Sequence, residues 1–425
     1  MTRLALVVDK RRIPTDVDEV FLWDDDANDS FKSLLGPSLD RLGQVPTLNA
    51  DFFRIALAVY ATDHTVKRQE RGSNWNAREL VVLVPVSDPE LWEAAVAGLI
   101  EAVDFLTGDH WAFEFTDLTG IAENDLLLRD TSTRVVLVSG GADSGIGALQ
   151  SGSTLGTEET HTLVSHASSG AARTPQKHVH EQLEALFAGK QAAHHQLFLG
   201  RAQKRLDGTR FPNEPSSRSR SFLFLALGLS IASQSGAPLW IPENGFASIN
   251  PPLGPERLGA LSTRTTQPWF LGKIQAVLES IGAHGTIENP FQLMTKGEMF
   301  AQTKTLLGDD EASTYLSGTN SCSHTDQNYQ GVASGTHCGV CFGCTVRRAS
   351  FKAGGVADAT RYLSDEPQHA AYVASHSVVD AAKDFAATKI SNATIMMMPL
   401  PPSLSARQAM ELCLRGQAEI GAYLG

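Results

Sequence analysis

Cysteine is scarce in this chain, 5 among 425 residues. A secreted disulfide framework would hold more of them, spread along its length. Positive charge is also short: 35 Lys and Arg face 47 Asp and Glu, a formal net charge of −12. That balance disfavours a large nucleic-acid footprint, though a local basic patch stays compatible with it. No apolar run approaches the roughly 18 residues of a membrane span. The first apolar stretch, Leu4 to Val8, meets Asp9 at once and reads as a strand, not a signal peptide. These absences imply no membrane partner and a cytoplasmic location. The 42% hydrophobic content is globular, and at roughly 100–200 residues per domain the length suits two or three units.

Three segments follow from the pattern. Residues 1–130 read as an N-terminal α+β domain. Strands are expected at Leu4–Val8, Glu79–Val86 and Trp111–Phe115, and helices at Asn49–Tyr60 and Pro89–Phe105, the latter with Ser87-Asp88 as cap. The segment has no catalytic constellation, and Trp75, Trp92 and Trp111 fit a core or an interface. Residues 131–357 alternate strand and helix, which predicts a doubly wound parallel sheet. Its strands are Arg134–Val138, Thr160–Ser165, Gln196–Leu199 and Pro238–Pro242, with helices at His178–Phe187 and Arg220–Gln234. Ser151–Thr160 and Ser168–Pro175 read as mobile surface loops. Residues 358–425 form a helical extension, broken at Met396–Pro402, whose methionines suit a core.

The first strand of the middle segment runs into Ser139-Gly140-Gly141-Ala142-Asp143-Ser144-Gly145. Glycines let a backbone approach phosphate oxygens, and the N–H groups of the following helix start hold the anion. Ser139 and Ser144 can donate hydroxyl hydrogen bonds. Asp143 suits phosphate only through Mg²⁺. A Gly/Ser-rich strand–helix junction without a ligand remains the plain alternative. No Gly-Lys-Ser/Thr follows, so this is not a Walker A loop.

Four of the five cysteines, Cys322, Cys338, Cys341 and Cys344, cluster in the pattern C-x15-C-x2-C-x2-C, and the fifth, Cys413, stands apart. Thiolates two residues apart on a turn reach one metal ion, and a fourth on a returning segment closes a tetrahedron. This set favours structural Zn²⁺ over an iron–sulfur cluster. His324 and His337 read as neighbours of the ligands.

The loop resembles the PP-loop of the ATP pyrophosphatase superfamily, over about residues 133–355. Loop and cysteines together, in Ser321-Cys322…Cys338-Gly339-Val340-Cys341-Phe342-Gly343-Cys344-Thr345-Val346-Arg347, are similar to the 7-cyano-7-deazaguanine synthase (QueC) family. The resemblance implies ATP as co-substrate, bound by residues 139–145, together with Mg²⁺ and a structural Zn²⁺. Asp143 and Ser144 would be catalytic. So would Arg220, in Ser219-Arg220-Ser221, and Lys296, in Thr295-Lys296-Gly297-Glu298. The deazaguanine would meet Glu243, Asn244 and Gly245, and Thr265, Thr266 and Gln267.

The departures matter. Residues 1–130 stand before the loop and residues 358–425 follow the cysteine segment, whereas family enzymes begin at the loop and end soon after the zinc motif. The family's Tyr-Pro-Asp-Cys-Arg segment is replaced by Ser262-Thr263-Arg264-Thr265-Thr266-Gln267-Pro268-Trp269-Phe270. These features look like the QueC-like proteins of antiphage operons, such as QatC and its type IV CBASS counterpart. They imply an AMP-forming ligase that joins a 7-deazaguanine carboxylate to the N-terminal amine of a partner protein encoded nearby. Three alternatives stand beside it: a synthase using ammonia, a tRNA-modifying enzyme with an iron–sulfur cluster, and an inactive nucleotide-binding scaffold.

Overall fold

In a computed structural model of the chain, the described residues are all except 25–28, 69–76, 119–128, 168–169, 217, 252–263, 325–331 and 334. Two compact units emerge, each discontinuous in sequence. One is Met1–Val135 with Leu197–Leu239 and Gly259–Ile287; the other is Val136–Gln196 with Trp240–Leu258 and Glu288–Gly425.

The first unit opens with β1 (Thr2–Val7), β2 (Glu19–Leu22), β3 (Phe31–Ser33), α1 (Thr47–Thr65), β4 (Glu79–Val86), α2 (Pro89–Thr107) and β5 (His110–Asp117). β4 is apolar at nearly every position, and only Glu79 is exposed, the mark of a strand covered on both faces. Asp88 caps α2 by accepting from Leu91 N, Pro89 follows at the first turn, and Gly108 at φ 73° ends the helix. The sheet order is β2–β1–β4–β5, and every pairing is parallel. The expected α+β segregation therefore gives way to a parallel α/β layer. Parallel neighbours need crossovers, and α1 and α2 lie in the connections that lead into β4 and β5. Trp92 and Trp111 are buried core residues, while Trp75 lies outside the described residues.

A buried charge network holds this unit. Arg78 is fully buried and donates to Asp63 Oδ1 (2.5 Å), Asp109 Oδ2 (2.5 Å) and the Asp63 carbonyl (3.0 Å). Asp63 also accepts from Ser216 Oγ (2.6 Å) and Ser219 Oγ (2.7 Å). Burial alone would raise the Asp63 pKa, but Arg78 and Arg68 outweigh it and hold the carboxyl well below the usual range. A depressed carboxylate stabilises above its unfolded pKa and loses that contribution as pH falls through the folded value. Arg78→Ala should therefore cost about 3–5 kcal/mol, since it strands buried carboxylates. Urea unfolding followed by tryptophan fluorescence should show the deficit greatest near neutral pH and shrinking below about pH 4.

Further along the chain come β6 (Arg134–Leu137), α3 (Ala142–Thr154), β7 (His161–Ala167), α4 (Gly170–Leu186), β8 (Gln191–Arg201), α5 (Arg218–Ser235) and β9 (Leu239–Trp240). α6 (Gly245–Ile249), α7 (Pro268–Ser280), β10 (Ile287–Glu288), α8 (Lys296–Leu307), α9 (Asp309–Ser317) and α10 (Phe342–Gly354) follow. The extension carries α11 (Ala370–His376), α12 (Val379–Ala387), α13 (Asn392–Met396) and α14 (Ala406–Leu424). The second sheet has the order β10–β9–β6–β7–β8–β3, with β3 antiparallel to β8 at one edge. The steps β6 to β7 to β8 each pass through a helix, as doubly wound sheets require.

Three expectations need correction. Ser151–Thr154 is the last turn of α3, not loop. Its small residues serve close packing, because a Cβ on Gly152 would lie 2.6 Å from the Phe187 ring. Within Ser168–Pro175, residues from Gly170 onward belong to α4, with Pro175 inside the helix, and 168–169 lie outside the described residues. Residues 171–173 are Ala-Ala-Arg, good helix formers that outweigh the loop-like composition. Met396 and Met397 are exposed and only Met398 is buried. α13 is short, and Ile395 is the residue it turns inward.

Candidate functional site

The loop after β6 braces itself. Ser144 Oγ accepts from Ser139 N (3.1 Å) and donates to the Gly141 carbonyl (3.0 Å). Gly140 has φ +88°, a conformation only glycine adopts freely, and a Cβ there would lie 2.9 Å from Pro175. Asn320 N donates to the Gly140 carbonyl (2.8 Å), and Tyr315 Oη donates to the Gly145 carbonyl (2.7 Å). The loop at the start of α3 is thus braced by neighbours on both sides.

Asp143, on the first turn of α3, is buried with Lys296, the first residue of α8. Lys296 Nζ lies 3.2 Å from Asp143 Oδ1, and Asn244 Nδ2 donates to Oδ2 at 2.8 Å. Asn244 is itself fixed as the α6 cap, its Oδ1 accepting from Ala247 N. Burial pushes the Asp143 pKa up, but Lys296 and hydrogen bonds from Glu243 and Asn244 bring it below the ordinary value. Glu243 moves the opposite way. Burial and the neighbouring Asp143 charge raise it well above the usual range, so it stays protonated and donates to Asp143. An ammonium thus stands beside Asp143 Oδ1, and an amide holds Oδ2. The side chain has a partner that the sequence does not disclose.

The other candidates are placed each within its own compact unit. Gly245 is a packing residue, since its Cβ would lie 2.0 Å from the Gln292 carbonyl oxygen. Arg220 belongs to the first compact unit, where it is exposed on α5 and its charge acts on Tyr60 and His64. The start of that helix is capped by Asp63 through Ser219. Thr265, Thr266 and Gln267 also lie in the first unit. Gln267 caps α7, its Oε1 accepting from Trp269 N (2.6 Å) and Phe270 N (3.2 Å). Ser262 and Thr263 lie outside the described residues.

The cysteines converge. One ligand atom from each of Cys322, Cys338, Cys341 and Cys344 lies within 4.8 Å of all the others. The Cys322–Cys341 and Cys338–Cys344 sulfur distances are both 3.9 Å. Four thiolates about 2.3 Å from one zinc would stand about 3.8 Å apart along a tetrahedron's edge, so the set fits Zn²⁺. It does not fit a multi-iron cluster, whose cysteines ligate separate irons. Backbone N–H groups of His324, Cys338, Cys341 and Cys344 donate to ligand sulfurs at 3.2–3.4 Å. Hydrogen bonding to Cys322 holds Cys341 low, while hydrogen bonds within the cluster push Cys344 and Cys322 up. His324 Nδ1 lies 3.9 Å from Cys338 Sγ, beside the ligands as expected, and His337 is buried next to Cys338.

The staple connects to the loop. Asn320 Oδ1 accepts from Cys322 N (2.8 Å) while Asn320 N holds Gly140. Buried Arg347 donates to Thr319 Oγ1 (2.9 Å) and the Leu316 carbonyl (2.6 Å). Asn320 and Tyr315 went unread in the sequence because neither carries a local motif. Lys296 had one, the Thr295-x-x-Glu298 capping box that marks a helix start.

An α/β protein with a glycine-rich strand–helix loop tied to a four-cysteine cluster is the class these features define. No family model matches the chain. It is similar to 7-cyano-7-deazaguanine synthase 1 of Sphingopyxis alaskensis, 33% identical over 153 residues, 34% of this chain and 57% of that protein. The 7-cyano-7-deazaguanine synthases of Ralstonia nicotianae and Ectopseudomonas mendocina are each 34% identical, over 146 and 153 residues and again 57% of their length. The chain thus spans little more than half of the curated relatives it matches. No helix among the described residues is long and apolar enough to cross a membrane.

Two outcomes follow from this geometry. The purified protein should hold one zinc per chain, and Cys341→Ser should release it with loss of soluble protein, because a structural zinc is worth about 10–16 kcal/mol in small peptides. Elemental analysis finding iron, or no metal, would refute the assignment. Lys296→Met should raise the Asp143 pKa, since burial then acts without its counter-charge. Its stability deficit in urea should widen as pH rises from about 4 toward 7, where the carboxyl must ionise unpaired.

Proposed function

We propose that the protein is an ATP-dependent, AMP-forming enzyme that activates a 7-deazaguanine carboxylate and joins it to an amine. The acceptor in this reading is the N-terminus of a partner protein encoded nearby, in antiphage defence. The observation that carries the activation step is the Asp143–Lys296 pair buried on the first turn after the phosphate-type loop. The relatives' names support the deazaguanine.

A carboxylate is a poor electrophile near neutral pH. Its oxygen attacks the α-phosphorus of ATP, the bond to pyrophosphate breaks, and an acyl adenylate forms. The amine nitrogen then attacks the acyl carbon, AMP leaves, and a proton is released from nitrogen to give the amide. Loop N–H groups and Lys296 stabilise the charge that gathers on the departing phosphates. Asp143 and Asn244 keep the ammonium in place. Zinc, held by the four thiolates, has a structural task in this scheme and touches no reacting atom.

The relatives' printed names favour a second reading, in which ammonia is the acceptor. A further ATP would activate the amide oxygen, and its loss with AMP would leave a nitrile. Intact-mass spectrometry decides between them. The protein, ATP, Mg²⁺ and 7-carboxy-7-deazaguanine are incubated with ammonia or with proteins encoded beside it. A mass gain on a neighbouring protein supports ligation, and efficient nitrile formation without one supports the synthase. Asp143→Ala should abolish AMP and pyrophosphate release while the zinc content stays at one per chain; near-native release would remove the loop from the mechanism.

A further inference from the structure

The first turn of α8, which carries Lys296, is already closed locally. Thr295 Oγ1 accepts from Glu298 N (3.2 Å) and Glu298 Oε2 accepts from Thr295 N (2.8 Å). A capping box of this kind needs nothing from elsewhere in the chain. Yet α14 reaches it from the far end of the sequence. Glu419 Oε2 accepts from Gly297 N at 3.1 Å, and Glu419 Oε1 accepts from the Thr295 hydroxyl. One helical turn earlier on α14, Arg415 Nε lies 2.8 Å from Glu298 Oε1, and its other end donates to the Leu293 carbonyl (2.6 Å). Leu293 to Glu298 is therefore gripped at both ends, with Lys296 between.

The approach is close. A Cβ on Gly297 would lie 2.6 Å from Glu419 Oε1 and 2.7 Å from Ala353 Cβ. The same helix backs the other partner of Asp143. Leu412 packs within 2.8 Å of where a Gly245 Cβ would stand, and Gly416 lies against the Phe246 ring, on the helix that Asn244 caps. Burial raises the pKa of Glu419, so placing a carboxylate there has a cost that the helix-start N–H groups offset.

We infer that α14 belongs to the catalytic unit, and that Glu419 is a positioning residue that locks the first turn of α8 so that Lys296 Nζ stays on Asp143 beside the phosphate-type loop. The inference rests on the role proposed for Lys296.

Two measurements test it on the full-length protein. The first is competitive labelling of Lys296 by acetic anhydride at mildly alkaline pH, read by peptide mass spectrometry. The second is ATP–pyrophosphate exchange with 7-carboxy-7-deazaguanine. Glu419→Ala should raise Lys296 labelling several-fold and lower the exchange kcat by about 10- to 100-fold, as expected for a displaced catalytic group, with KM for ATP little changed. Zinc should remain at one per chain. Glu419→Gln, which can still bridge Gly297 N and Thr295 Oγ1, should restore both readouts toward wild type. If Glu419→Ala does not fold, Gly297→Ala serves instead, since its Cβ must push α8 off α14. Wild-type labelling and kcat in a folded Glu419→Ala or Gly297→Ala protein would overturn the inference. Absence of exchange in the wild-type protein would instead refute the proposed reaction, and the labelling contrast would still decide the positioning role.

Discussion

Four sulfurs crowded to 3.9 Å cannot all carry charge without a cation among them. Much of the second unit hangs on that constraint. Asn320 takes its orientation from Cys322 N and passes it to Gly140. Leu363 N and Ser364 N bind the carbonyls of His337 and Cys338, so the chain after α10 is threaded back across the knuckle. Tyr362, Leu363 and Tyr372 then pack on the cysteines as one apolar cluster. The four-cysteine cluster is a hub where the loop, α10 and the extension are referred to one point.

The second organising contact is the Asp143–Lys296 pair. A buried charge is tolerable only with a partner and hydrogen bonds for its remaining lone pairs. Asn244 and Glu243 provide those, and each is held by a different constraint: Asn244 by capping α6, Glu243 by keeping its proton. The site is therefore polar, buried and pre-aligned.

Sequence legibility followed the range of the interaction. Glu79–Val86, the Asp88 cap and the cysteine quartet were readable because a strand, a cap and a metal knuckle are each written locally in the chain. The parallel sheet of the first unit was not, since strand direction depends on crossovers and not on the strands themselves. Asp143 and Lys296 were each picked out, but their pairing joins the start of α3 to the start of α8, and no periodicity encodes a contact across that much intervening chain. The cap role of Gln267 was hidden for a related reason: its amide oxygen suits a purine edge or a helix cap equally, and only the fold shows it capping α7. Glu419 carried no signal at all.

The discontinuity of the compact units bears on how the chain is made. The first unit runs to Ile287 and interleaves with the second. Phe52 on α1 meets Phe222 on α5 edge to face, although a full strand–helix set is synthesised between them. A ribosome releasing residues in order would expose the apolar side of α1 long before its partner exists. The first unit is then complete only once Ile287 has been made. The segment Met1–Val135 is a portion of a core that awaits its remainder.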